Sequence, residues 1–118
     1  MKKPSKSYLR NQCDALLTPL TKELQPHCFF CGKRTEVGHH FVHRSKSTAL
    51  RYEMENLIGL CNSCHFALHQ NESYYAAKIV ERKGIEWFQR LERMKNVIVK
   101  ADVLFYKQKL EKLKALIK

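Results

Sequence analysis

The amino-acid sequence predicts an α+β protein, with a small core of short strands held by metal and surrounded by α-helices. Two C-x-x-C pairs lie in the middle of the chain, and short β-favouring runs adjoin them. The segments on either side repeat their apolar residues at helical intervals. At 118 residues, the chain is long enough for one modest hydrophobic core that a metal ion would reinforce.

The first predicted helix covers residues 9–24, where leucines recur at helical spacing. Pro19 lies inside this segment and is expected to break or restart the helix. The preceding residues 1–7 are polar and basic and contain a proline, so we expect a loosely held arm. Cys13 has no cysteine neighbour and is interpreted as a small buried apolar residue. Residues 1–25 are thus assigned to a basic arm and a helix.

Residues 26–72 are predicted to form the compact core. The first cysteine pair forms a knuckle that turns at Gly32, and the β-favouring Val37, Phe41 and Val42 predict a short hairpin after it. The apolar run NLIGLC predicts a second strand that leads into the second cysteine pair. Beyond that pair the pattern of apolar residues becomes helical.

Residues 73–96 are predicted to be a helical extension packed on the core. An alanine-rich helix should run to Arg82, and Gly84 is a natural helix stop. A second short helix repeats its apolar residues at three-residue steps: Ile85, Phe88, Leu91 and Met94.

Residues 97–118 are predicted to form a lysine-rich amphipathic helix. Its apolar stripe alternates steps of three and four residues: Val103, Tyr106, Leu110, Leu113 and Ile117. The stripe spans only about two heptads, a length that favours packing on the same domain. A homodimer through this C-terminal helix is the alternative.

The charge of the chain points to a polyanionic partner. It carries 22 lysines and arginines against 11 acidic residues, a formal net charge of +11, which suits a phosphate-rich polymer bound in a salt-sensitive manner. Residues 26–72 are close to balance, with five basic and four acidic side chains, so the flanking segments carry most of the attraction. A basic surface without such a partner is the alternative interpretation.

The sequence contains no apolar run long enough for a membrane helix, and its polar start lacks the apolar run of a signal peptide. We therefore expect an intracellular, cytoplasmic protein. In a reducing compartment, an odd count of five cysteines is more typical of metal ligation than of a disulfide framework.

The two cysteine pairs predict a structural zinc site. They are separated by 29 residues and consist of Cys28, Cys31, Cys61 and Cys64. Two such knuckles can present four thiolates tetrahedrally, which fills every position of the ion and ties two distant segments together. Redox dithiols or unrelated buried cysteines are the alternative.

The histidines around the second pair predict a separate, catalytic metal. His65 and His69 lie one turn apart on one face of a helix that starts near Cys64, so both rings can reach one ion. In an extended segment, the neighbours His39 and His40 point to opposite faces. One of them can complete a three-imidazole site, and the other can act as general base toward water. Surface or core histidines are the alternative, which we favour for His27 and His43.

The stretches VGHHFVHRS and ENLIGLCNSCHFALH resemble the HNH, or ββα-metal, endonuclease motif with additional zinc-binding C-x-x-C pairs. His40 precedes Asn56 by sixteen residues, and Asn56 precedes His65 by nine, which are spacings typical of that motif. STALRYEMENL and CHFALHQNESYYAAKIVERKGIEWFQRLER are similar to phage recombination endonucleases of the NinG (Rap) type. The resemblance covers roughly residues 26–95.

The resemblance implies a small ββα-metal (HNH) core with a zinc knuckle, and it implies a role for each site residue. His40 would be the general base, and Asn56 would brace the loop or the orientation of that base. The catalytic ion would be held by His39, His65 and His69. Many relatives have aspartate before the base, so three imidazoles here should favour Zn²⁺, Ni²⁺, Mn²⁺ or Co²⁺ over Mg²⁺. The resemblance also leaves open that His39 is the base instead.

The implied activity is metal-dependent hydrolysis of DNA phosphodiester bonds in a bacterial host cell. Preference for branched or junction DNA rests on the NinG resemblance. Arg44, Lys46 and Arg51 lie between the two halves of the motif and are candidate phosphate contacts. The competing interpretation is a non-catalytic zinc-knuckle protein that binds nucleic acid and whose histidines are incidental.

Overall fold

The computed structural model describes residues 3–117, which form five α-helices and a two-stranded antiparallel sheet. The helices and strands follow in the order α1 (Lys6–Leu24), β1 (Val37–His40), β2 (Leu57–Leu60), α2 (Asn62–Gln70), α3 (Glu72–Lys83), α4 (Ile85–Lys95) and α5 (Val103–Ala115). A short 3-10 turn, Met54–Asn56, leads into β2. This mixture confirms the α+β class.

Helix α1 is longer than its sequence pattern predicts. Ser5 caps it, because its hydroxyl accepts a hydrogen bond from the backbone N–H of Tyr8 at 3.1 Å. The expected arm is therefore shorter than predicted, and its residues 1–2 lie outside the described part of the chain.

The predicted break at Pro19 is wrong, because the proline lies inside one continuous helix. Pro19 removes a single N–H donor from the helix interior. One face of α1 is nevertheless buried: Leu9, Cys13, Leu17, Leu20 and Thr21. Burial of that face against the sheet and α5 offsets the lost hydrogen bond. The buried Cys13 donates its thiol to the carbonyl of Tyr106 at 3.5 Å, which agrees with its interpretation as a core residue.

The sheet pairs two strands that a sixteen-residue loop separates. Val37 lies opposite Leu60, and His40 lies opposite Leu57. The predicted local hairpin is therefore wrong: β1 ends at His40, and Phe41 and Val42 belong to the connecting loop. A smaller bridge pairs His27 with Arg34 in the knuckle.

Strand β2 is buried along its whole length because it separates two apolar clusters. One lies beneath the knuckle and α2 to α4: Leu50, Ile58, Leu60, Leu68, Ile79, Trp87 and Leu91. The other joins α1, α5 and the loop: Leu9, Cys13, Leu17, Leu20, Tyr52, Leu57, Tyr106 and Leu113. Gln25 covers the free edge of β2, since its side-chain amide bonds the carbonyl of Leu57 and the N–H of Gly59, each at 2.8 Å.

Helices α3 and α4 meet at Gly84, as the sequence predicts, and its φ of +98° explains the preference for glycine there. Leu91 and Trp87 of α4 are buried, but Ile85, which belongs to the same apolar period, is 59% exposed. Ile85 is the first residue of its helix and extends past the core.

Helix α5 packs against α1 through the centre of its apolar stripe. Tyr106 and Leu113 are buried, whereas Val103 and Ile117, at the ends of the stripe, are 40% and 49% exposed. The favoured packing within the same domain is thus what the structure contains, and a homodimer stays a prediction. Within residues 3–117, no helix is both long and apolar enough to cross a membrane.

The close approach of α1 to β1 yields a stability prediction at Gly38. A Cβ added there would lie 2.6 Å from the Oγ1 of Thr21, which is buried and hydrogen-bonded to Leu17 at 2.7 Å. We expect Gly38→Ala to lower the free energy of unfolding by about 1–3 kcal/mol, as overpacking does, in urea denaturation of the zinc-loaded protein. The penalty should shrink in a Thr21→Ala background, and equal penalties in the two backgrounds would contradict the proposed clash.

Candidate metal centres and cleft

The four cysteines of the two knuckles meet at one point, and their sulfur atoms all lie within 4.8 Å of one another. The Sγ atoms of Cys31 and Cys61 are 3.6 Å apart. Two thiolates on a tetrahedral zinc, with bonds of about 2.3 Å, would be separated by about 3.8 Å. The four cysteines can therefore hold a structural zinc, as the sequence predicts.

Local backbone geometry prepares each pair for this role. Gly32, at φ +78°, closes the first knuckle by donating its N–H to the carbonyl of Cys28 at 3.0 Å. Burial raises the pKa of the Cys28 thiol, but backbone N–H groups of Cys31, Cys61 and Phe30 outweigh it, and the pKa falls to about 6. A thiolate is the form that binds zinc.

The second pair begins α2. The Sγ of Cys61 accepts the backbone N–H of Cys64 at 3.4 Å, so the first helical turn wraps around the sulfur. The same helix presents His65 and, one turn later, His69 on a neighbouring face. One helix thus serves both candidate metal centres.

A second cluster consists of three imidazoles, which we call the histidine trio: His39 of β1 with His65 and His69 of α2. One ring nitrogen of each lies within 4.8 Å of the others. The Nε2 atoms of His65 and His69 are only 3.0 Å apart. Two nitrogen lone pairs at that separation repel each other unless a proton or a cation lies between them. The trio therefore fits a cation.

The surroundings of the trio keep its nitrogens available as ligands. Burial lowers the pKa of His39 to about 4, and the charges of His65 and His69 act in the same direction. The ring is thus neutral near pH 7, as metal binding requires. Glu72 Oε1 lies 3.3 Å from Nδ1 of His69, so the carboxylate accepts that proton and leaves Nε2 to face the trio.

His40 has different contacts from its neighbour His39. Its Nε2 lies 2.9 Å from the backbone carbonyl of Arg51. A carbonyl can only accept, so Nε2 carries the proton and Nδ1 is left as the free acceptor. Burial lowers the pKa of His40, although its hydrogen bond to Arg51 acts in the opposite direction. The ring is therefore in the form that can take a proton.

An open cleft of about 290 Å³ brings these groups to one surface. It is lined by the trio and by His40, His43, Arg44, Asp14, Leu17, Thr18 and Gly38. His43 and Asp14 are not among the site residues that the sequence predicts. His43 lies in the stretch VGHHFVHRS, where a surface or core role is the favoured interpretation, and Asp14 reaches the cleft only because α1 packs beside β1.

Asn56 is buried and joins the start of the long loop to its end. Its Oδ1 accepts the N–H of Val42 at 2.8 Å, and its Nδ2 donates to the carbonyl of the same residue at 3.0 Å. A third, longer bond of 3.4 Å reaches the carbonyl of Leu50. Bracing of the loop, one of the two roles that the resemblance implies, is consistent with these contacts.

The three candidate phosphate contacts occupy different places. Arg44 lines the cleft. Lys46 lies in an adjoining groove with Glu92 and Lys95 of α4. Arg51 makes two hydrogen bonds to the carboxylate of Asp14, at 3.1 and 2.8 Å, so its guanidinium already has an anionic partner.

Comparison with known proteins extends the resemblance beyond the core. Residues 4–118 match the sequence model of the protein family described as NinG, "Bacteriophage Lambda NinG protein". The match includes α1 and α5, which flank the motif recognised in the sequence. Neither the curated proteins nor the solved structures gave a match.

The two ligand sets predict two kinds of metal binding. Wild-type protein should retain one tightly held zinc and gain a second, labile ion, whereas His65→Ala and His69→Ala should lose only the labile one. Metal content after gel filtration, together with Co²⁺ titration followed by absorbance, separates sulfur from nitrogen ligation. His27→Ala is the matched control, because His27 is exposed in the knuckle. Equal metal content in wild type and both trio variants would contradict a second site.

The Asn56 contacts predict a stability cost. Asn56→Ala leaves the partly buried N–H and carbonyl of Val42 without their partners, so we expect the free energy of unfolding to fall by about 2 kcal/mol. Chemical denaturation of the zinc-loaded protein measures this loss. Asn62→Ala, which removes an exposed amide bonded to Glu36 at 2.9 Å, should have a much smaller effect. Comparable losses would argue against the bracing role.

Proposed function

Because the chain belongs to the NinG family of bacteriophage proteins, we propose that it is a metal-dependent HNH endonuclease that cuts DNA during phage recombination. The observation that carries the proposal is that the candidate metal ligands form two separate clusters, one of sulfur and one of nitrogen. Four sulfurs gather at one point, three imidazole nitrogens gather at another, and a differently bonded histidine lines the cleft beside the second point. A closed sulfur site has no open position for chemistry, whereas a three-nitrogen site has one.

The order of structural elements supports an HNH core. Strand β1 supplies His39 and His40, the turn before β2 supplies Asn56, and α2 supplies His65 and His69. This β-β-α order around the trio is the arrangement that the ββα-metal name describes. The cysteine knuckles stand beside this core rather than inside its cleft, since no cysteine is among the residues that line it.

The proposed reaction is in-line hydrolysis of a phosphodiester. The trio would hold a divalent ion, whose positive charge would stabilise the negative charge that builds up on the reacting phosphate. His40 takes the proton of the attacking water on Nδ1, because its Nε2–H is held by the Arg51 carbonyl. Arg44, on the cleft wall, neutralises a phosphate oxygen. By family resemblance, the product carries a 5′-phosphate.

The proposed substrate is branched or junction DNA in the bacterial host cell. The net charge of +11 supports binding to a phosphate backbone without a sequence code. The cleft is open to solvent and five of its ten lining residues are histidines, which suits a backbone phosphate better than the edge of a base. The preference for branches rests on the resemblance to NinG-type recombination endonucleases alone.

Removal of His40 tests the enzymatic proposal directly. We expect His40→Ala to slow plasmid cleavage by about 10²–10⁴-fold, the usual contribution of a general base, while zinc content and DNA affinity stay unchanged. Cleavage is measured on linear, nicked, branched and four-way DNA across a metal panel. His27→Ala should cut like wild type. Absence of cleavage by folded, zinc-loaded wild type on every substrate would instead favour the non-catalytic zinc-knuckle binder.

A further inference from the structure

We infer that Asp14 of α1 is a positioning residue for the proposed reaction, and that it acts through Arg51 to orient His40. The inference rests on the proposed function for its catalytic meaning. It is argued from three hydrogen bonds. Two join Asp14, which lies outside the predicted nuclease core, to Arg51, and the third joins Arg51 to the proposed base His40.

The first contacts fix the side chain of Arg51. Asp14 Oδ1 accepts from Nε of Arg51 at 3.1 Å, and Oδ2 accepts from Nη2 at 2.8 Å. Two parallel bonds to one carboxylate hold the guanidinium in a defined plane, which a single bond would not. The side chains are only 22% and 28% exposed, so water competes weakly for the pair.

The next contact joins Arg51 to His40. The backbone carbonyl of Arg51 accepts the Nε2–H of His40 at 2.9 Å. Arg51 lies in the loop between β1 and β2, a segment of turns without regular backbone pairing of its own. Anchoring its side chain to a rigid helix therefore limits rotation of its peptide group. A fixed carbonyl selects one tautomer of His40 and leaves Nδ1 unprotonated.

The ion pair also reassigns Arg51. The sequence suggests a phosphate contact, but the Nε edge of the guanidinium faces Asp14. Asp14 itself lines the cleft, where a free carboxylate would repel the phosphate of a substrate. Pairing neutralises both groups, so neither contributes a net charge to substrate binding. A positioning role predicts a loss of turnover, whereas a phosphate-clamp role predicts a change in KM.

The first test reads the tautomer of His40 without any catalysis. Ring ¹⁵N chemical shifts of zinc-loaded, full-length protein, with no second metal added, should assign a single Nε2–H tautomer to His40 in the wild type. Asp14→Ala should give a mixture of both tautomers, and Asp14→Glu, which keeps a carboxylate, should restore most of the wild-type signal. An unchanged tautomer in Asp14→Ala would overturn the inference whether or not the protein cuts DNA.

The second test separates positioning from substrate binding. Asp14→Ala should lower kcat for DNA cleavage about tenfold, the scale of supporting-residue effects, with KM within about twofold of wild type. In a His40→Ala background, the same substitution should have no further effect on kcat. A change confined to KM, or an equal loss of kcat without His40, would overturn the inference.

A matched control comes from the other helix that holds this loop. Lys109 of α5 pairs with Glu53 at 2.6 Å, so Lys109→Ala removes an ion pair two residues from Arg51 without touching the carbonyl that binds His40. It should leave both the tautomer and kcat unchanged, even if the melting temperature falls. If Lys109→Ala and Asp14→Ala changed the tautomer and kcat equally, the Asp14 contact would only stabilise the fold, and its positioning role would be overturned.

Discussion

The antiparallel pairing of β1 with β2 is the constraint on which the site depends. Its register sets His39 opposite Ile58 and His40 opposite Leu57, so two consecutive histidines leave the strand on opposite faces. One ring then meets α2, and the other meets the carbonyl of the long loop. A slip of one residue would turn each ring to the opposite face, so that neither would meet its present partner. The pairing itself is held by a buried β2, by the side chain of Gln25 at its edge and by Asn56 across the loop.

Local chemistry explains why much of the site is predictable from sequence. The C-x-x-C spacing of the four cysteines is enough to predict a zinc site. Two histidines at i and i+4 of a helix lie on the same face, so their rings can bind one ion. Gly84 separates two helices because few other residues adopt its backbone angles. These features need no knowledge of distant segments, since each depends on residues within one turn or one knuckle.

The features that sequence misjudged depend on packing between distant segments. Pro19 would end an isolated helix, but burial between the sheet and α5 keeps α1 continuous. Ile85 satisfies the apolar period yet lies at a helix end beyond the core. Asp14 carries no motif, and its position in the cleft follows only from the docking of α1. The different surroundings of His39 and His40 are beyond the sequence for the same reason, because the Arg51 carbonyl that binds His40 is a tertiary partner.

The N-terminal helix limits how far the chain can be shortened before the cleft is lost. The resemblance to the nuclease motif begins at about Pro26, which suggests trimming the chain to the knuckles, the two strands and α2. Such a minimal fragment would keep every candidate metal ligand. It would lack the wall formed by Asp14, Leu17 and Thr18, and it would expose the apolar side of β2 that α1 covers. A fragment that keeps the ligands of both candidate metal sites would therefore still lack one wall of the cleft.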